Sequence, residues 1–221
     1  MRPALALLLL ALAASGPGLP RAHREEGAAG APRIERLQAD AEARAASGQR
    51  AAPSHSAAVL SAEECSRIVR ESAAALRDSE TNVLDDSVRT SEVTALSPRQ
   101  FDWVYERMRA HLALANEDKW GYGQLGEMED IQIARYHSDR GGHYSWHPDA
   151  SFANQYASAS AGAAAGSTQQ RFKGKNRLLS ASVQLSLPEH YTGGDLQVGS
   201  QNATRELGAV VVFPSYQLHR V

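Results

Sequence analysis

Residues 141–152 read GGHYSWHPDASF, and the fold turns on what His147-Pro148-Asp149 is for. In an extended segment, residues i and i+2 point to the same face. The imidazole of His147 and the carboxylate of Asp149 can therefore approach one ion together. A third ligand must come from a distant strand, and His219 is the candidate, because it follows the β-branched run at 210–213. Two imidazoles and one carboxylate on one face make the ligand set of a non-haem ferrous centre, with positions left open for oxygen and a bidentate cosubstrate. A zinc site would prefer sulfur or a third nitrogen and would close at four ligands.

By itself a His-x-Asp pair is short and frequent, and an unligated surface pair is its commoner meaning. HPD also occurs in J-domains, within a helical hairpin loop flanked by lysines. Here Gly141-Gly142 and a strand pattern precede it and no lysine follows, so that reading is set aside.

Working outward, the strand patterns lie around and after the pair. Ile131 and Ile133 alternate with polar residues, as do Ala181, Val183, Leu185 and Leu187; the run at 210–213 ends at Pro214. Gly193-Gly194 and Gly208 punctuate these strands as turns. The helix patterns come first. Ser61 with Glu64 forms a capping box, followed by Cys65, Ile68, Val69 and Leu76, which predicts a helix from Ala62 to about Leu76. Ser97 as N-cap and Pro98 at the first helical position predict a second helix ending near Asn116, with Phe101, Val104, Met108 and Leu112 as its buried stripe. Helices followed by short strands suggest an α+β protein with helices on one side of an antiparallel sheet or barrel-like sandwich. Residues 154–175, rich in Ala, Ser and Gly, read as a long flexible loop, either a lid or a low-complexity insertion.

The 221 residues fit one domain with a leader. A net charge of -2 gives no sign of the clustered basic face of a nucleic-acid binder. The single cysteine, Cys65, excludes an internal disulfide and a cysteine-based zinc site; its place in a helix pattern marks it as a small buried residue. MRPALALLLLALAAS opens with Arg2, runs apolar and ends in small residues, the layout of a secretory signal peptide or signal anchor over residues 1–22. The apolar run is shorter than the about 20 residues of a bilayer span. Residues 23–56 read as a low-complexity linker, and the folded part is expected over 57–221. Asn202 heads an N-glycosylation sequon, which agrees with a secretory route to the endoplasmic reticulum lumen or outside.

From about Leu60 onward several stretches resemble, in order, the prolyl 4-hydroxylase-like branch of the Fe(II)/2-oxoglutarate dioxygenases, including the bacterial PKHD-type hydroxylases. These are LSAEECSRIV, SVRTSEV with its Arg-x-Ser strand, IQIARYHSDRGGHYSWHPDA, RLLSASVQLSLPEHYTGGDLQ, and GAVVVFPSYQLHRV. The resemblance implies a double-stranded β-helix (jelly roll) core with N-terminal helices on one side. It carries over His147, Asp149 and His219 as iron ligands, and places Tyr136, and less firmly Tyr144, where the family lines its 2-oxoglutarate pocket; the other reading of both is strand aromatics facing the core. Trp146, Phe152 and Tyr216 are read as packing residues. The implied cofactors are Fe(II), 2-oxoglutarate and ascorbate. The implied substrate is a protein or peptide, proline-rich by expectation, with no nucleic-acid partner and a membrane association only through an uncleaved anchor.

One departure stands out. The family holds the far carboxylate of 2-oxoglutarate with a Lys or Arg on a strand beyond the distal histidine, whereas this sequence ends two residues past His219. The expectation is a C-terminally truncated domain with an unpaired sheet edge and weak turnover. Arg220, next to His219, should point away from the ligand face. Arg135 and Arg177 are substitutes without a spacing argument. Two further readings stay open: a β-helix module that binds peptide or metal without turnover, and a zinc-dependent hydrolase, which lacks an obvious general base.

Overall fold

A computed structural model describes residues 4–14, 53–79, 88–149 and 176–221. The linker expected over 23–56 falls outside the described residues up to 52, as do the Ala/Ser/Gly loop and Phe152. The strands are β1 (Ala4–Ala14), β2 (Ser54–Ala58), β3 (Arg77–Asp78), β4 (Arg89–Thr90), β5 (Glu92–Ala95) and β6 (Gln132–His137). They continue with β7 (His143–Tyr144), β8 (Asn176–Gln184), β9 (Gln197–Val198), β10 (Gln201–Asn202), β11 (Ala209–Pro214) and β12 (His219–Arg220). Among the described residues the α-helices are α1 (Ala62–Ser72) and α2 (Asp102–Ala115).

Seven strands form one sheet in the order β2-β11-β8-β1-β6-β5-β3, with every pairing antiparallel. Period-two alternation sorts its two faces. Ile131, Ile133, Leu179, Ala181, Val183, Val210 and Val212 pack with Cys65, Ile68, Val104, Met108 and Leu112 of the helices in one core. The intervening positions face the other way: Val211 and Phe213 meet Leu196 and Val198, and Ala134 and Tyr136 meet Tyr191. That second face is covered by the short strands. β4 pairs with β7, and β10-β9-β12 form a three-stranded sheet. An antiparallel bridge between His147 and His219, and two reciprocal backbone hydrogen bonds of 3.0 Å between Tyr144 and Val221, tie these two pieces together. The arrangement is thus helices, a large sheet, and a smaller strand layer, matching the expected α+β order with helices on one side.

The capping box of α1 is present. The Ser61 hydroxyl accepts from Glu64 N at 3.2 Å, and Ser61 N donates to Glu64 Oε2 at 2.8 Å. Ser61→Ala is expected to cost about 1 kcal/mol in urea denaturation, because Glu64 keeps its 2.7 Å contact with Arg107 in the variant.

The second helix starts later than the sequence suggests. Ser97 does not cap α2; its carbonyl accepts from Gln100 N and Phe101 N in a preceding turn, and the helix begins at Asp102. Pro98 therefore starts a turn, a role to which its fixed φ is equally suited. The stripe of Phe101, Val104, Met108 and Leu112 is buried as expected. The Tyr105 hydroxyl accepts from Ile131 N and donates to the Leu96 carbonyl, which docks α2 onto the entry to β6.

Two features concern the N-terminal part of the chain. β2 pairs with β11 from Ser54 on. Residues Ala4–Ala14 form β1, paired with β6 on one side and β8 on the other, so both of those strands have neighbours on each side. Among the described residues no helix is long and apolar enough to cross a membrane.

Candidate metal centre

The turn ahead of the histidine pair needs its two glycines for different reasons. Gly141 closes a short 3-10 turn at φ +62°, a conformation costly to residues with a Cβ. At Gly142 a Cβ would lie 2.6 Å from His137 N, so only glycine lets the chain fold back that tightly. The chain then enters β7 and delivers His147 opposite His219.

Three side chains converge there. Asp149 Oδ1 lies 3.8 Å from His147 Nε2 and 3.6 Å from His219 Nε2, and one ligand atom from each residue lies within 4.8 Å of the others. Two ligands at right angles on bonds of about 2.1 Å stand about 3 Å apart, so small side-chain adjustments close the set on one ion. Each ring is held from behind. His147 Nδ1 donates to the Ser145 carbonyl at 2.7 Å, and His219 Nδ1 donates to the Gln217 carbonyl at 3.0 Å. A carbonyl only accepts, so Nδ1 carries the proton and the Nε2 lone pair faces the site. Backbone bonds fix the frame: His147 N to His219 O, His219 N to His147 O, and Asp149 N to Ser215 O.

Burial pushes the His147 pKa down to about 4, with the nearby His219 adding to the effect. His147 is thus neutral at physiological pH, as a metal ligand would need to be. The same shift predicts a pH dependence of the metal-free fold. A histidine of ordinary pKa, about 6.5, takes up its proton in the unfolded chain well before it does so in the fold. The folded state is then favoured fully above about pH 6.5 and progressively less as pH falls toward 4. Stability should drop by up to about 3 kcal/mol over that window. His111, also shifted down by burial, contributes in the same direction, so melting curves of His147→Gln against the parent isolate the His147 share; equal slopes for the two would contradict it.

Tyr144 stacks on His147 with ring centroids 3.4 Å apart, and Phe213 packs against His219 at 4.7 Å. Both tyrosines singled out in the sequence line the cavity that opens beside the three ligands, about 260 Å³ in volume. Tyr136 is 3% exposed, and its hydroxyl lies next to the Arg89 guanidinium. Burial pushes its pKa up to about 12, opposed by the charge of Arg89.

The cations fall into place differently from the sequence expectation. Arg177 forms a two-point ion pair with Glu129, Nε to Oε1 at 2.7 Å and Nη2 to Oε2 at 2.6 Å, and its Nη1 donates to the Asp149 carbonyl at 2.9 Å. Arg135, one residue from Tyr136 on β6, pairs with Glu92. Arg220 lies over Trp146 and donates to Gln197, away from the ligands as expected. Trp146 is 43% exposed and so is no core residue; Tyr216 is half-buried. Cys65 is buried, and burial raises its thiol to about 11, in keeping with an inert packing residue. Asn202 is exposed on β10.

Sequence reasoning gave no role to Arg89 or Glu129. Arg89 stood in the quoted Arg-x-Ser strand, but only the pairing of β4 with β7 shows that it reaches the cavity, where it lies 4.5 Å over the Tyr144 ring.

No protein-family model matches the chain, and no curated protein matches it. Among solved structures, the crystal structure of a Pseudomonas putida prolyl-4-hydroxylase is similar to it, at 21% identity and a TM-score of 0.50, over 76% of this chain and 84% of that one. What is shared at that identity is the fold: antiparallel strands and helices in a prolyl-4-hydroxylase-like arrangement, on which this chain carries its own His-Asp-His group.

Proposed function

We propose that the chain is an iron- and 2-oxoglutarate-dependent dioxygenase that hydroxylates a peptidyl side chain, with proline the favoured residue. The observation that carries the reading is the convergence of His147, Asp149 and His219, each histidine presenting Nε2, on a fold similar to that of a prolyl-4-hydroxylase. In this reading the large sheet and the smaller strand layer are the two halves of a double-stranded β-helix, with the metal held at its mouth.

The donor set fits ferrous iron: two neutral nitrogens and one carboxylate, gathered on one side, with no sulfur. When bound, ferrous iron with 2-oxoglutarate and dioxygen would supply an oxidant able to hydroxylate an unactivated C–H bond, one oxygen atom going to the substrate and the other to succinate, with carbon dioxide released. The chain's own part is to hold and to shield. His147, Asp149 and His219 would fix the ion on one face. Tyr144 and Phe213 wall the two imidazoles from water. Tyr136 and Tyr144 would line the cosubstrate's place, and the 260 Å³ cavity is large enough for a small dicarboxylic acid beside the ligands. Ascorbate as a reductant, glycosylation at Asn202 and a secretory location complete the proposal.

The test is an aerobic incubation of the full chain with Fe(II), ascorbate, labelled 2-oxoglutarate and proline-rich peptides. Succinate should form, and the peptide should gain the mass of one oxygen atom. Metal uptake without either product would instead support a module that binds metal or peptide without turnover. A protein that takes up neither iron nor any divalent ion would sink both.

A further inference from the structure

A second cavity shares Leu196 as a wall with the cavity beside the three ligands. Its floor is β8, at Ser182 and Gln184, and its other side is the segment that carries Tyr191 and Leu196. Side chains alternate along a strand. Ser180, Ser182 and Gln184 therefore share the face of β8 turned away from the helix core, which Ala181 and Val183 enter.

Ser180 is satisfied, its hydroxyl 2.9 Å from that of Ser215. Ser182 and Gln184 are not. They are 2% and 6% exposed, and the Ser182 hydroxyl and Gln184 Oε1 have no hydrogen-bond partner among the described residues. Gln184 Nε2 donates to the Tyr191 hydroxyl, whose own proton is left to donate elsewhere. A buried polar group left unmet is costly, and two that line one cavity can be met by one guest. Size and charge say which. The cavity measures about 10 Å³, the room of a single water. Among the described residues its charged lining groups are Arg205 and Asp195, already paired to each other at 2.7 Å, so the guest is neutral. It must donate to Gln184 Oε1 and meet the hydroxyls of Ser182 and Tyr191, and about three bonds is the usual number for a buried water.

We propose that Ser182, Gln184 and Tyr191 bind one water molecule inside the fold, and that Arg205 closes the site over it. Positions i and i+2 of a strand stand about 7 Å apart, so one bridging molecule joins two groups that do not bond each other directly. The Arg205 guanidinium lies 4.6 Å over the Tyr191 ring. Asp195 and the Gly193 carbonyl, each at 2.7 Å, hold it there. The water ties β8 to the segment that ends at Leu196, and so braces the wall that the two cavities share. The argument needs neither the metal nor the cosubstrate.

Oxygen-17 relaxation dispersion of the solvent counts long-lived internal waters in the full chain. Ser182→Val combined with Gln184→Leu should hold one fewer than the parent. Arg205→Ala should keep that water and shorten its residence, because only an exposed ion pair closes the site. Melting curves give a second readout whose sign decides. With the water present, Ser182→Ala removes a made hydrogen bond, and the melting temperature should fall by about 2–4 °C. Without it, the same change removes an unmet hydroxyl and leaves the melting temperature level or higher. Ser182→Ala with Gln184→Leu should lose less than the sum of the two single losses, since both act on one guest. Should the valine variant not fold, Ser182→Ala with Gln184→Leu serves for the relaxation measurement. An internal-water count equal to the parent's, or a melting temperature that does not fall in Ser182→Ala, overturns the proposal.

Discussion

Asp149→Ala is expected to abolish metal uptake while leaving the protein folded. The two remaining imidazoles are neutral, and the carboxylate is the ligand that offsets the charge of the ion. Loss of an outer partner alone typically costs 10- to 100-fold in metal affinity, so loss of the ligand itself should cost more than about 100-fold. The fold should not follow, because the Asp149 backbone is held by Ser215 and Arg177 through main-chain atoms that the substitution keeps. Its side chain is 24% exposed and fills no core volume. Metal content after dialysis and the rise in melting temperature on adding Mn(II) read the two effects separately. At a metal concentration 100 times the dissociation constant the parent should gain about 2.7 kcal/mol, and the variant close to none. A variant that still melts higher with metal, by the parent's margin, would remove Asp149 from the site.

The parts of the fold that came through from sequence are those where local chemistry decides. The capping box at Ser61, the stripe from Phe101 to Leu112 and the alternation along β8 each follow from contacts within a few residues. The three candidate ligands were legible for a related reason: i, i+2 spacing fixes two of them on one face, and the strand at β11 points to the third. Pairing partners were not legible, because they depend on which distant strands meet. Arg89 shows this most clearly. Nothing beside it in the chain marks it as a cavity residue until β4 is set against β7.

The segment Ala4–Ala14 makes the same point from the other side. Composition marks it as apolar, and only the register against β6 and β8 shows that its backbone pairs with theirs. The turn at Pro98 is a smaller case: a serine followed by proline opens a helix or a turn with equal ease, and the carbonyl of Ser97 accepting from Gln100 decides for the turn.

Glu129→Gln should be among the most damaging substitutions outside the ligands themselves. Glu129 lies just ahead of β6, its side chain 6% exposed, and meets Arg177 at the start of β8 through two short contacts. Making Glu129 neutral takes from the partly buried Arg177 guanidinium its two-point carboxylate partner, and the cost should lie below about 3–5 kcal/mol, the range typical of a fully buried pair. The consequence reaches the metal centre, because the same guanidinium holds the Asp149 carbonyl. Once Arg177 is loosened, the carboxylate that completes the ligand set is positioned by Ser215 alone at its backbone amide. Metal affinity should then fall by about tenfold, the lower end of the range for outer partners. The double variant Glu129→Gln with Arg177→Met should recover part of the stability, since it removes the stranded charge, and should not recover the metal affinity, since the carbonyl contact stays lost. Urea denaturation and Mn(II) titration of the parent, both single variants and the double variant separate these two effects. Full recovery of metal binding in the double variant would show that the pair serves the fold and not the ligand.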